Sequence, residues 1–343
     1  MNEPIIGITM GDAAGIGAEI IVKALADKAI SETCKPIVIG DAKMLEKMIR
    51  ILGLSSKTHP VKSVEEAYFQ EGTIDCLDLD LLPNDIQFGE LSPVAGDAAF
   101  RYLEKAISLA KSRRIDAICT APLNKEALHM GGHNYPGHTE ILAELTGTQD
   151  YAMMLSSPLL RVILVTIHVG LLKAVELITP DRVYKTIYLA NHVLHEMGFA
   201  QPKIAVCGIN PHAGEGGLFG CREEEEKIVP AIRRALQEGM AVSGPHPADT
   251  VFYWATQGIY DIVVATYHDQ GLIPIKTLSI KTGVNITVGL PLIRTSVDHG
   301  TAFDIAGKGI ADAEGMKSAI RQATELANHK RNSETQVYSS AHL

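Results

Sequence analysis

The chain has no CxxC pair. Its five cysteines, Cys34, Cys76, Cys119, Cys207 and Cys221, are odd in number. Most lie in or beside apolar strand-like runs, so buried free thiols in a reducing cytosol are expected rather than a disulfide framework. Basic charge is also short. Lys and Arg total 31 against 40 Asp and Glu, a net charge of -9. A nucleic-acid binder needs a basic stripe, and none is present. A small phosphorylated substrate needs only a few local cations, so it is not excluded. Long apolar runs are missing too. The most apolar stretch, Tyr151 to Ile167, is cut by Ser156, Ser157, Pro158 and Arg161, which excludes a transmembrane helix there. Residues 1–7 lack the basic region and long apolar stretch of a secretory signal, so a cytoplasmic location without a membrane partner is expected. There is no internal repeat, no low-complexity linker, no GxGxxG fingerprint and no Walker A motif.

What is present is alternation. Apolar strand-like runs occur at 5–9, 36–40, 74–79, 117–121, 153–155, 162–167, 204–208, 262–266 and 286–288. Amphipathic stretches at 18–29, 44–52, 96–112, 180–197, 223–238 and 314–327 separate them. This pattern predicts an α/β protein with a largely parallel sheet between helices. With 343 residues, 46% of them hydrophobic, the chain suffices for two domains or one large unit. The expected split is discontinuous, residues 1–125 with 260–343 in one domain and 126–259 in the other. The acidic run Glu223–Glu226 reads as carboxylates at the positive end of a helix. The polar, aperiodic tail from Lys330 to Leu343 is expected to be frayed.

Three histidines, His168, His212 and His268, each follow a strand-like run. In open α/β sheets ligands bind at that end of the strands. Three imidazoles so delivered point to one divalent metal site, although any one alone reads equally as a hydrogen-bonded structural residue. Asp249, Asp269, Asp298 and Asp304 are acids able to orient such ligands. Lys276, Asn285 and Arg294 stand nine residues apart in apolar surroundings. Such cations either snorkel to water or bind carboxylate and phosphate. His138 and Thr139 open a helical pattern, where they offer an anion an imidazole, a hydroxyl and free amides. The plainer reading has Thr139 as an N-cap. The glycine-rich stretches 11–17 and 214–220 read either as anion cradles or as plain turns. A three-imidazole centre also suits a metal-dependent phosphohydrolase or aldolase, and a non-catalytic anion-binding module is a third class.

Taken together, Gly11–Gly17, Thr120-Ala-Pro-Leu-Asn-Lys125, Gly137–Glu140, His168, Asn210-Pro-His212-Ala-Gly-Glu215, Tyr267-His268-Asp269-Gln270-Gly271 and Lys276/Asn285/Arg294 resemble the 4-hydroxythreonine-4-phosphate dehydrogenase (PdxA-type) family over about Ile5 to Ala327. The resemblance implies an isocitrate/isopropylmalate dehydrogenase-like fold, two α/β/α domains with a cleft between them. It also implies a homodimer with the active site at its interface and metal ligands from both subunits. His168, His212 and His268 match the family's metal ligands, for Zn, Co, Mg, Mn or Ni. His138, Thr139, Lys276, Asn285 and Arg294 match its substrate positions. NAD or NADP is the implied cofactor, bound without the GxGxxG fingerprint, and its contacts are not assigned. Lys276, His138, Asp249 or Asp269 is expected to move the proton. One departure is Met10-Gly11-Asp12, where vitamin B6 biosynthetic members carry Pro-Gly-Glu-Pro. It resembles the branch acting on 4-phospho-D-threonate or 4-phospho-D-erythronate. The implied reaction is oxidative decarboxylation of a 4-phosphorylated 3-hydroxy acid to dihydroxyacetone phosphate and CO2. The alternative substrate is 4-phosphohydroxy-L-threonine, on the way to pyridoxal 5'-phosphate.

Overall fold

The structure, a computed structural model, describes residues 3–340. The chain forms two compact units. One comprises Met1–Thr148 with Leu290–Leu343, the other Gln149–Gly289.

The first unit opens with β1 (Ile5–Thr9), α1 (Gly17–Leu25), a short α2 (Lys28–Ser31), β2 (Lys35–Gly40), α3 (Ala42–Leu52), β3 (Lys57–Val61) and β4 (Thr73–Asp78). It continues with α4 (Pro93–Lys111), β5 (Ala117–Thr120), α5 (Lys125–Met130) and α6 (His138–Thr146). The second unit holds β6 (Ala152–Ser156), β7 (Arg161–Leu164), α7 (Leu171–Leu177), α8 (Pro180–Glu196) and β8 (Ile204–Cys207). After a turn at Pro211–Gly217 and a wide helical turn at Glu224–Ile228 come α9 (Val229–Gln237), β9 (Val242–His246), α10 (Ala248–Thr256), β10 (Ile262–Ala265), α11 (His268–Ser279) and β11 (Val284–Val288). The chain then returns to the first unit with β12 (Ile293–Val297) and α12 (Glu314–Ser340).

In the first unit the strand order is β3-β4-β2-β1-β5-β12, and the pairings are parallel. The inner strands, buried on both faces, need near-continuous apolar runs. Ile6, Ile8, Ile37, Val38, Ile39, Ala117 and Ile118 supply them, each fully buried. α4 begins at Ser92, whose hydroxyl accepts from the Ala95 N–H, with Pro93 preset for the first turn. In the second unit the order is β11-β6-β7-β10-β8-β9. β6 is antiparallel to both neighbours, and β7, β10, β8 and β9 are parallel.

The split is discontinuous, but the crossings fall after residues 148 and 289 rather than 125 and 259. Residues 126–148 stay with the first unit because α5 and α6 pack on α4. β10 stays with the second because it pairs with β7 and β8, and β11 because it pairs with β6. The tail is not frayed from Lys330. α12 runs to Ser340, and the Arg331 guanidinium donates to both Asp116 oxygens, Nε at 2.9 Å and Nη2 at 2.7 Å. Four cysteines are buried and Cys221 is exposed. Burial pushes the Cys34 thiol up to about 11 and the Cys119 thiol to about 12, so both stay protonated.

Candidate active site

β7, β10 and β8 lie side by side and parallel, so their C-terminal ends share one edge of the second unit. His168 lies four residues beyond β7, His212 five beyond β8, and His268 three beyond β10, where it opens α11. His168 and His212 are exposed and His268 is partly exposed. The ends are tied to each other beneath the imidazoles. Thr166 Oγ1 donates to the Thr266 carbonyl at 2.8 Å. Buried Gln270 accepts from the Thr266 N–H at 2.7 Å and donates to the Gly208 carbonyl at 2.8 Å. One amide side chain thus fixes the loop after β8 against the start of α11. Gly271 lets α11 come this close. A Cβ there would lie 2.6 Å from Leu164 Cδ2, 2.7 Å from Val162 Cγ1 and 2.9 Å from Ala265 Cβ.

The His212 turn is unusual. His212, Ala213, Gly214, Glu215 and Gly216 all have positive φ, between 42° and 79°. Left-handed conformation costs non-glycine residues roughly 1–2 kcal/mol each, so neighbours must hold it. Glu224 does. It is 1% exposed, and its carboxylate accepts from the Ile209 N–H at 2.9 Å, the Asn210 N–H at 2.7 Å and Asn210 Nδ2 at 3.1 Å. The acidic run is therefore not simply a set of carboxylates at a helix start. Its second member clamps the loop that carries a candidate ligand. The 214–220 glycines belong to this turn and its exit.

His168 and His268 face each other with ring centroids 5.6 Å apart, tilted by 45°. Two imidazoles sharing a tetrahedral ion, with metal–nitrogen bonds of about 2.0–2.1 Å, stand about 5 Å apart by centroid. The pair fits a shared divalent ion. His268 Nδ1 is bound by Asp269 Oδ1 at 2.7 Å, which orients the ring and directs Nε2 outward. His212 packs instead beside Phe219, ring centroids 6.0 Å apart. Among the described residues, no group of three or more His, Cys, Asp or Glu is close enough to hold a metal. One chain thus brings two imidazoles together and the third to the same strand-end edge. Asp249 is exposed in the first turn of α10, which packs against the His212 turn. Lys276 is half-buried on α11, two turns beyond His268. Asn285 sits on β11 with a buried Oδ1 that has no hydrogen-bond partner.

The first unit holds the remaining candidates. Arg294 on β12 is 3% exposed, and its Nη2 donates to Thr120 Oγ1 at 2.7 Å. Burial draws its pKa down to about 10, so it remains a cation at neutral pH. His138 and Thr139 form the first turn of α6, and Gly137, not Thr139, is the N-cap. Desolvation, then the Arg294 charge, holds the His138 imidazole well below its usual pKa of 6.5. It is neutral at pH 7, while Arg294 supplies the positive charge.

The glycine loop after β1 is a closed turn. Gly11 has φ +67°, and a Cβ there would lie 2.2 Å from the Pro122 carbonyl oxygen. The amides of Asp12, Ala14, Gly15 and Ile16 donate to Pro122 O, Asp12 Oδ1, Asp12 O and Thr301 O. Those four donors are spent inside the protein, so they do not form an anion cradle.

The family model for the pyridoxal phosphate biosynthetic protein PdxA matches residues 32–323. The chain belongs to the PdxA family. A D-threonate 4-phosphate dehydrogenase of Cupriavidus necator is 59% identical to this PdxA-family chain over 95% of it and 98% of the relative. A 4-hydroxythreonine-4-phosphate dehydrogenase of Trichlorobacter lovleyi is 48% identical over 95% and 98%. Among solved structures, a 4-hydroxythreonine-4-phosphate dehydrogenase from Burkholderia phymatum is 57% identical, with TM-score 0.86 over 95% of this chain and 99% of that one. This PdxA-family member is a dehydrogenase, which sets aside the phosphohydrolase and aldolase readings. No helix among its described residues is long and apolar enough to cross a membrane.

Three functional side chains escaped the sequence reading. Glu224 was read as a helix-end acid. Gln270 and Thr120 lay inside recognised motifs but had no role. The available signal was their place next to a candidate ligand or cation.

Proposed function

We propose that this dehydrogenase oxidises 4-phospho-D-threonate or 4-phospho-D-erythronate at C3 and releases CO2, giving dihydroxyacetone phosphate. The observation that carries the chemistry is the set of three imidazoles following three adjacent parallel strands. His168, His212 and His268 would hold a divalent ion, with the site completed across a homodimer. When bound, that ion supplies an electrophile for the C3 oxygen, and a nicotinamide dinucleotide supplies the hydride acceptor.

The chain's own groups bind and move protons. Arg294 and the first-turn amides of α6 form the anion-binding part of the first unit. In the second unit, Lys276 on α11 is a cation and Asn285 on β11 carries an unsatisfied acceptor. The 3-hydroxyl loses one proton on oxidation, and C2 gains one after CO2 leaves, so the steps are proton-neutral together. Neutral His138 suits the first transfer, and cationic Lys276 the second. Asp269 is committed to orienting His268, and Asp249 stands exposed on α10.

The substrate choice draws support from the Cupriavidus relative and from Met10-Gly11-Asp12. A second reading, 4-phosphohydroxy-L-threonine, draws support from the Trichlorobacter and Burkholderia relatives. The two differ at C2, hydroxyl against ammonium, and a polar site that pairs one leaves partners unsatisfied with the other. The test is kcat/KM for all three compounds with one metal and NAD+. The proposal expects the hydroxy acids to win by at least tenfold, and a preference for the amino compound would overturn it.

A further inference from the structure

The end of β5 brings two polar side chains to the first unit's anion-binding part. Thr120 holds the Arg294 guanidinium. Lys125, five residues on, opens α5 and is exposed. Its place is fixed twice. Asn124 caps α5, its Oδ1 accepting from the Ala127 N–H at 3.0 Å. Gly96 lets α4 press on α5, since a Cβ there would lie 1.9 Å from the Ala127 carbonyl oxygen. A Cβ on Gly137 would lie 3.9 Å from Lys125 Cε, so the lysine side chain passes beside the N-cap of α6. No side chain caps that helix, and its first-turn N–H groups face outward there. Thr9 adds an independent sign of a ligand. It pairs with Thr120 across β1 and β5, which puts both side chains on one face of the sheet. Thr9 is 1% exposed, and its Oγ1 has no hydrogen-bond partner among the described residues. Buried hydroxyls are ordinarily satisfied, so this one marks a place for a ligand's polar atom.

Charge decides what Lys125 does. Arg294 feels the Glu140 carboxylate, and the two charges offset each other. Glu140 Oε2 lies 3.5 Å from the same Cβ position on Gly137. Without Lys125 the opening keeps only the helix end, worth roughly half a positive charge. Lys125 makes no hydrogen bond or ion pair to another described residue, so it adds a whole one. A phosphomonoester brings a charge of about -1.5 to -2 at neutral pH. We propose that Lys125 is a further substrate-binding residue, the cation that recognises the 4-phosphate beside the N-terminus of α6. This rests on the reading that the substrate is a phosphorylated acid. The ammonium is a point charge on a flexible stem and can follow a tetrahedral anion, whereas the Arg294 fork is held by Thr120.

The test compares the wild-type protein with Lys125→Ala and Lys125→Arg. The side chain is exposed, so the fold is expected to persist, and circular dichroism checks it. Calorimetric titration with inorganic phosphate should show binding that Lys125→Ala weakens at least tenfold and Lys125→Arg largely restores. Steady-state kinetics with 4-phospho-D-threonate should show KM raised at least tenfold in Lys125→Ala, with kcat and the dissociation constant for NAD+ near wild type. An exposed ammonium is screened by salt. The KM gap should therefore narrow between about 0.1 M and about 1 M salt, as the Debye length falls from about 10 Å to about 3 Å. A purely structural role would leave that gap unchanged. The proposal is overturned by no phosphate binding to the wild type, by an isotherm that Lys125→Ala leaves unchanged, by a loss confined to kcat, by a parallel loss of NAD+ affinity, or by a KM gap indifferent to salt. The substrate reading fails separately, if the wild type turns over none of the 4-phosphorylated acids, and the phosphate titration then decides on Lys125 by itself.

Discussion

Arg294 is a buried cation bonded to the Thr120 hydroxyl, with the Glu140 carboxylate farther off. A guanidinium in that position binds an anion far more strongly than a surface lysine, because water does not screen it. Arg294→Ala is expected to cost about 2–5 kcal/mol in substrate binding or transition-state stabilisation. Steady-state kinetics with a parallel NAD+ titration checks this, and the dissociation constant for NAD+ should stay near wild type. Asp12 gives a prediction of another kind. Its Oδ1 accepts from Ala14, its buried Oδ2 has no partner, and desolvation raises its pKa to about 6. A carboxyl whose pKa is raised by folding favours the native state in its protonated form. That contribution is complete below the unfolded pKa near 4 and is lost as pH rises through about 6. The loss is on the order of 3 kcal/mol. Asp12→Asn stays neutral, so its stability relative to wild type should increase between pH 4 and pH 8. Urea unfolding at both ends of that range measures it, and a constant difference would contradict the burial argument.

At the scale of elements, close approach decides more than propensity does. Gly271 sits inside α11, where alanine would ordinarily be better by about 1 kcal/mol. Here a Cβ meets three side chains of β7 and β10 at under 3.0 Å. Overpacking of that kind costs about 1–3 kcal/mol and tilts the helix that begins with His268. Gly271→Ala should therefore lower both the melting temperature and the affinity for the proposed divalent ion, read by calorimetry and equilibrium dialysis. Glu224→Ala should act chiefly on the His212 turn. It leaves the buried Ile209 and Asn210 N–H groups without their acceptor and is expected to weaken binding of the proposed divalent ion 10–100-fold, with helix content retained.

The same contacts explain what was readable beforehand. β1, β2, β5, β8 and β10 are buried on both faces and announce themselves as apolar runs. β3 and β9 did not, because they lie at sheet ends, are mostly polar and contain Pro60 and Pro245. β12 was hidden by the arginine in its second position. The candidate histidines were visible because each follows a strand. The clamps were not, because Gln270 reaches a carbonyl 62 residues away and Glu224 amides 14 and 15 residues away. Nothing local in sequence marks such pairs.

For the whole molecule, the proposed sharing of ligands between subunits has a direct test. Two inactive variants, His168→Ala and His268→Ala, are mixed under conditions that exchange subunits. If the two ligands of one site come from different chains, a mixed dimer contains a fully wild-type site and activity returns. Within one chain, however, these rings stand 5.6 Å apart. If they serve the same ion from the same chain, that mixture stays inactive, and recovery is expected instead when His212→Ala is mixed with either. Activity assays on the three pairwise mixtures, with exchange verified by mass spectrometry, distinguish the two partitions.

The discontinuous division also sets an order of events during synthesis. The second unit is one uninterrupted stretch, Gln149–Gly289, and it closes on itself, since β11 pairs with β6 and Gly289 packs against Asp150 and Tyr151. The first unit lacks β12 and α12 until residues beyond 290 emerge from the ribosome. Its β5 edge and the helix faces that α12 covers wait in the open while about 140 further residues are made, roughly 10–30 s at ordinary elongation rates. The later-translated unit is thus complete first. The half-made one is where nascent chains most need protection from aggregation, and where slowed translation past residue 290 should lower soluble yield.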